Sequence, residues 1–187
     1  VACALIAGRL NHLGYKSQSW MGWQIPILTD NNYSAARIIQ INKNRIIKYL
    51  KQGGVPIIAG FQGVNLKGRI TTLGRGGSDS SAIMLAKYFN AMKCVIFTDV
   101  IGVMTTDPRV YKKAKKIKVI SYEEMLEMAS LGSKVMQSTS IQDARLNRID
   151  IDVKSSFIKK NGTKITKRKN IINNKIITGI SSTKSDA

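Results

Sequence analysis

Apolar positions along this chain switch repeatedly between helical and strand spacing. Ala4, Leu5, Leu10 and Leu13 lie near helical spacing and stop at Gly14, which predicts a helix already inside a domain. Lys16 to Trp20 reads as extended, Met21 to Asn32 as a loop holding Gly22, Pro26 and the turn-forming run TDNN, and Ala36 to Ile41 as a strand. Asn42 then predicts the cap of a second helix, because its side chain can accept from N–H groups of the first turn. Ile46, Ile47 and Leu50 line one face of that helix and Gly53-Gly54 ends it.

Val55 to Phe61 and Cys94 to Thr98 are short, rich in β-branched residues and nearly all apolar, the character of strands buried on both faces of a parallel sheet. Between them Ser78 to Asn90 reads as a helix with Ser78 as its cap and Ala82, Leu85, Ala86 and Phe89 on one face. Strand, helix, strand predicts an α/β fold. Further on, Ser121 with Glu124 predicts a capping box for a helix through Met128. Leu131-Gly132-Ser133 breaks it, Lys134 to Leu146 starts another helix, and Ile151 to Ser155 supplies a last core strand. From Ile158 the chain turns Lys- and Asn-rich with little periodicity, until the apolar Ile176 to Ile180, which sets a domain boundary near residue 158.

Composition narrows the class. At 187 residues there is room for one domain with a real core and the beginning of a second. Thirty Lys and Arg against 11 Asp and Glu give a formal net charge of +19, a balance that raises the question of a polyanionic partner. The excess is mostly Lys scattered among Ile and Asn, as compositional drift leaves it. The tightest basic runs, Lys112 to Lys118 and Lys159 to Lys169, lack the interleaved aromatics of a base-stacking platform, so nucleic acid is not the expected partner. Cys3 and Cys94 are far apart and in no metal-ligand spacing, which argues against a disulfide framework or zinc site and for a reducing compartment. No apolar run approaches the roughly 18 residues that span a bilayer, and no basic stretch precedes the apolar start, so a cytoplasmic location is expected. His12, the single histidine, has no acidic or cysteine partner nearby in sequence and reads as structural.

The segment with chemical content is Thr71 to Ser81, TTLGRGGSDSS, where three glycines flank an arginine just before a helix N-terminus. Glycine lets a backbone take positive φ and lets a ligand come close, and the helix dipole with its unpaired N–H groups favours an anion. The planar fork of Arg75 suits a carboxylate or phosphate. No Lys-Ser/Thr pair follows the glycines, so this is not a Walker A loop.

AGFQGVN at Ala59 to Asn65 followed by TTLGRGGSD at Thr71 to Asp79 resembles the paired signature of aspartate kinases within the amino-acid kinase superfamily. TDVIGVMTTDPR at Thr98 to Arg109, EEMLEMASLGSKV at Glu123 to Val135 and VKSSF at Val153 to Phe157 follow in the family's order. The resemblance implies a three-layer αβα sandwich with a mostly parallel central sheet, with residues 1–157 as kinase domain and 158–187 as linker and start of an ACT-like regulatory domain. It implies transfer of the γ-phosphoryl group of ATP to the β-carboxylate of L-aspartate, the first step of lysine (diaminopimelate), threonine and methionine biosynthesis. ATP and Mg²⁺ are the implied cofactors and a homodimer the implied assembly.

Residue by residue, the resemblance places Arg75 on the substrate α-carboxylate, Ser78 and the adjoining Gly76 and Gly77 around the substrate, and Asp79 behind a phosphate-binding lysine. Leu50 and Lys51 fall where the family's substrate pocket is sometimes lined. Thr98 and Asp99, the loop Met104, Thr105, Thr106, Asp107, Pro108 and Arg109, and Lys134 fall around the nucleotide. Met104 stands where the family usually has an aromatic, and Met136-Gln137-Ser138 where it usually reads Leu-His-Pro. The family's opening Lys-(Phe/Tyr)-Gly-Gly segment and its Gly-Glu pair have no counterpart in these 187 residues, so a first strand and a substrate carboxylate are expected to be missing. ITGISSTKSDA at Ile177 to Ala187 resembles the opening strand of the regulatory domain, and feedback control through that domain is not expected. The competing readings are a kinase for another amino acid or nucleotide, an inactive kinase remnant, and a basic nucleic-acid-binding remnant, the last marked by steep salt dependence.

Overall fold

A computed structural model describes residues 1–133, 135–167 and 177–181. The chain divides into two compact units, Val1–Asn90 and Ala91–Ala187.

The first unit opens with helix α1 (Ala2–His12), strands β1 (Ser17–Trp20), β2 (Ile27–Thr29) and β3 (Ile38–Ile41), and helix α2 (Asn44–Lys51). Strands β4 (Val55–Ile58), β5 (Gln62–Val64) and β6 (Ile70–Thr72) and helix α3 (Gly77–Tyr88) complete it. Strands β1 and β4 pair in parallel. The other four form a sheet of order β3-β2-β5-β6, in which β2 and β5 run parallel and the outer pairs antiparallel. Ile25, Ile27, Ile41 and Ile46 form its buried centre, with Trp20, Ile58, Leu85 and Phe89 packed around them. Helices α1 and α2 both end in the expected glycine turns. After α2, the Gly53 amide bonds to the Leu50 carbonyl and the Gly54 amide to that of Tyr49, so two otherwise orphaned carbonyls are satisfied.

The second unit contains β7 (Cys94–Thr98), β8 (Val119–Ser121), α4 (Tyr122–Ser130), α5 (Ser138–Asn147), β9 (Ile151–Ser155) and β10 (Thr163–Thr166). Its sheet order is β7-β9-β10-β8, with β7 parallel to β9 and β8 parallel to β10. Ile151, Val153 and Ser155 are buried while Asp152 and Lys154 are half-exposed, the period-two pattern of a one-sided strand. Helix α4 packs on β8, β10 and α5. The capping box is formed: Ser121 Oγ accepts from the Glu124 amide and a Glu124 carboxylate oxygen accepts from the Ser121 amide.

Among the described residues, four of the seven strand pairings are parallel. The α/β expectation and the parallel placement of Val55–Ile58 and Cys94–Thr98 therefore hold. Some local expectations need correction. The stretch Met21 to Asn32, read as a loop, contains strand β2. Neither β4 nor β7 is buried on both faces: Val55 of β4 is 38% exposed and Phe97 of β7 is 65% exposed. Ser78 does not cap α3; the cap is Gly76, whose φ of 74° turns the chain into the helix one residue before Ser78. Asn42 lies just ahead of the cap Lys43, though its carboxamide oxygen still accepts from the Asn44 amide at 3.2 Å. The segment beyond 158, read as linker, contributes β10 to the same sheet as β9.

Candidate functional site

The glycine loop of the first unit runs from the end of β6 into α3. Gly74 and Gly76 take φ of 75° and 74°, left-handed backbone that a side chain would strain. A Cβ on Gly74 would lie 3.2 Å from the Ser34 carbonyl oxygen, and one on Gly77 2.8 Å from Leu73 Cβ. The loop therefore needs glycine for both conformation and room. Between these glycines Arg75 is exposed, Ser78 follows exposed on the first turn, and no side chain caps the helix. Asp79 is half-buried one residue later, and burial pushes its carboxyl above the usual carboxylate range.

The strand leading into the loop is held from the Asp30–Arg37 side. Tyr33 accepts both the amide and the hydroxyl of Thr72 through its carbonyl, at 2.8 and 3.1 Å, and the Thr72 carbonyl accepts from the Ala36 amide. Asn65 is 2% exposed, donates to Asn31 and Tyr33, and accepts from the amides of Lys67 and Arg69, closing the β5–β6 turn. AGFQGVN and TTLGRGGSD thus form one hydrogen-bonded body. Leu50 and Lys51 lie in the last turn of α2, exposed, on a helix that packs against β4; they are not part of the glycine loop.

The residues matched to nucleotide contacts lie in the second unit. Thr98 ends β7 and donates its hydroxyl to the Asp99 carboxylate at 3.0 Å, at the carboxyl edge of a parallel strand pair. The following loop is anchored by Thr163, whose buried hydroxyl accepts from the Val103 amide at 2.9 Å and donates to the Ile117 carbonyl at 2.6 Å. Met104 bridges to Lys116, and Thr105 exchanges bonds with Lys115 through its amide and hydroxyl. Thr106 and Pro108 flank Asp107, whose carboxylate takes the Arg109 amide at 2.8 Å and its guanidinium at 2.7 Å. Arg109 is 82% exposed, so this fork faces solvent. Lys134 lies outside the described residues, as does 182–187 of the C-terminal resemblance. The preceding stretch is packed: the Ile180 amide donates to the Thr105 carbonyl, and the Thr178 hydroxyl to Glu124.

The sequence profile of the amino acid kinase family matches residues 1–155. The chain belongs to the amino acid kinase family. Within it, the chain is 46% identical over 180 residues to an aspartokinase of Geobacillus stearothermophilus, covering 96% of this chain and 44% of that protein. It is 46% identical over 185 residues to an aspartokinase of Rickettsia felis, covering 98% of this chain and 46% of the other. In three dimensions it resembles E. coli aspartokinase III in complex with aspartate and ADP, with a TM-score of 0.81 at 33% identity over 90% of this chain and 39% of that one. This amino acid kinase chain thus spans less than half the length of the relatives it matches.

Sequence reasoning passed over Ser81, Phe61 and Thr163. Phe61 has a φ of 71°, rare for a residue with a side chain, and its position between Gly60 and Gly63 was the available signal. Thr163 sits in a Lys-rich run whose alternation of buried Thr163 and Ile165 was masked by charge. Among the described residues no group of three or more His, Cys, Asp and Glu is placed to hold a metal ion, and no helix is long and apolar enough to cross a membrane.

Proposed function

We propose that this chain carries the substrate and nucleotide elements of an aspartate kinase, which forms 4-phospho-L-aspartate and ADP from L-aspartate and ATP. The observation that carries the reading is the glycine loop: an exposed guanidinium between two left-handed glycines, at a helix N-terminus without a side-chain cap, in a chain 46% identical to aspartokinases. One relative supports the ligands: E. coli aspartokinase III has been solved with aspartate and ADP and also with lysine and aspartate.

In this reading Arg75 takes the α-carboxylate of aspartate in a bidentate grip, and Ser78 with the Gly76–Gly77 backbone holds the amino acid in orientation. Thr98, Asp99 and the Met104–Arg109 loop hold the nucleotide, joined by Lys134. Arg109 is presented to solvent with Asp107 fixing its plane, which fits a phosphate-facing role. A β-carboxylate oxygen of aspartate attacks the γ-phosphorus, the bond to the β–γ bridging oxygen breaks, and ADP leaves with that electron pair. Positioning and charge stabilisation supply the catalysis, and no protein nucleophile is needed. Mg²⁺ suits a site of this kind as a companion of the ATP phosphates, where it neutralises charge. Aspartate-dependent ADP release, with the acyl phosphate trapped by hydroxylamine and Arg75→Ala as control, tests the proposal.

A further inference from the structure

We propose that Ser81 is a positioning residue for the glycine loop, latching the Gly60–Phe61 turn to the first turn of α3 so that Arg75 and Ser78 are held ready for substrate. The proposal rests on the assignment of aspartate to that loop. Ser81 is 1% exposed and touches solvent hardly at all. Its hydroxyl donates to the Gly77 carbonyl at 2.7 Å, a bond to the preceding helical turn that many helical serines make. What sets Ser81 apart is the second bond: the same oxygen accepts from the Phe61 amide at 3.0 Å, a group 20 residues upstream.

Phe61 is the point at which the latch acts. Its φ of 71° is costly for a residue with a side chain and persists only where neighbours fix it. Its amide is tied to Ser81 and its carbonyl accepts from the Leu73 amide at 2.9 Å, so one residue bridges both ends of the glycine loop. The surfaces are in close apposition: a Cβ on Gly60 would lie 3.3 Å from Ser78 Cα, and one on Gly77 3.0 Å from a Phe61 ring carbon. Without the Ser81 hydroxyl the Phe61 amide loses its partner, the turn is free to relax from left-handed backbone, and the loop loses one of its two anchors. The loop then spends part of its time out of the binding geometry, and apparent affinity falls by that fraction.

The test compares the full chain with Ser81→Ala and Ser81→Thr, using calorimetric titration with L-aspartate and separately with ADP, hydrogen exchange at the Phe61 amide, and thermal melting. The expected result is aspartate affinity reduced about tenfold in Ser81→Ala, ADP affinity unchanged, faster exchange at Phe61, and recovery in Ser81→Thr, which keeps the hydroxyl. Aspartate affinity unchanged in Ser81→Ala, or an equal loss for both ligands that Thr does not restore, overturns the positioning role. A wild-type chain that binds no aspartate, yet protects the Phe61 amide only with a hydroxyl at position 81, overturns the substrate assignment and the positioning role with it, while showing that the latch itself is formed.

Discussion

Thr29 and Thr71 meet hydroxyl to hydroxyl at 2.6 Å, although the strand β5 runs between theirs. The contact exists because the β5 residue in register with Thr71 is Gly63: a Cβ there would fall 2.5 Å from Thr29 Cγ2 and 2.7 Å from the Ile27 carbonyl oxygen. Since the Thr29 hydroxyl donates to the Asp30 carbonyl, Thr71 is left to donate to Thr29. This buried pair fixes β6 at the point where it delivers the glycine loop.

Gly63→Ala is therefore expected to destabilise the chain by about 1–3 kcal/mol through overpacking against backbone that cannot move aside. Thr71→Val, which removes one buried hydrogen bond and keeps the shape, should cost about 1 kcal/mol. Urea or thermal unfolding checks both, and an unchanged midpoint in Gly63→Ala would contradict the packing described.

Arg75 is exposed on a loop with no core to support. Arg75→Ala should leave the melting temperature nearly unchanged and weaken aspartate binding about 10- to 100-fold, the range for a charge-assisted bond. Arg75→Lys should recover only part of this, since an ammonium cannot reproduce the fork. Aspartate titrations of the three chains measure the difference, and nucleotide affinity should not move.

The Asp107 carboxylate orients a guanidinium that lies almost wholly in solvent. Such an exposed pair contributes little to stability. Arg109→Ala and Asp107→Asn are expected to melt like wild type but to weaken ADP binding, Arg109→Ala about tenfold, with the deficit shrinking at high salt. A loss of aspartate affinity instead would contradict the assignment of this loop to nucleotide.

Acid should loosen the second unit first at the β9–β10 pair. Burial pushes the Asp150 carboxyl up, but hydrogen bonds from Lys164 and Thr166, the charge of Lys164 and the Tyr122 hydroxyl outweigh it and hold the group below its ordinary 3.8. A carboxyl whose folded pKa is depressed stabilises the fold above its unfolded value, and that contribution is lost as pH falls through the folded value. Asp150→Asn should be less stable than wild type at pH 7 and should show a shallower loss of stability below about pH 3.8, measured as urea midpoints across pH. Tyr122 stays protonated throughout this range, its phenol pushed up to about 12 chiefly by burial.

Local chemistry made part of the fold legible. The Ser121–Glu124 box is spelled by residues three apart, and the alternation of Ile151, Val153 and Ser155 marks β9 to the residue. Strands β5 and β6 escaped because each is three residues long and β5 has glycine at its centre. The cap of α3 was misplaced because Gly76 takes a left-handed turn that the serine preference at caps does not foresee. Arg75 and the glycines around it could be read from their motif. Ser81 could not, because its meaning lies in an amide 20 residues away that only the folded chain brings to it.

The central claim is tested most directly by incubating the purified 187-residue chain with Mg·ATP, hydroxylamine and L-aspartate and assaying aspartyl hydroxamate. The account predicts hydroxamate that depends on aspartate and disappears in Arg75→Ala. A chain shown to be folded that yields none, or yields equal amounts with and without Arg75, would contradict it.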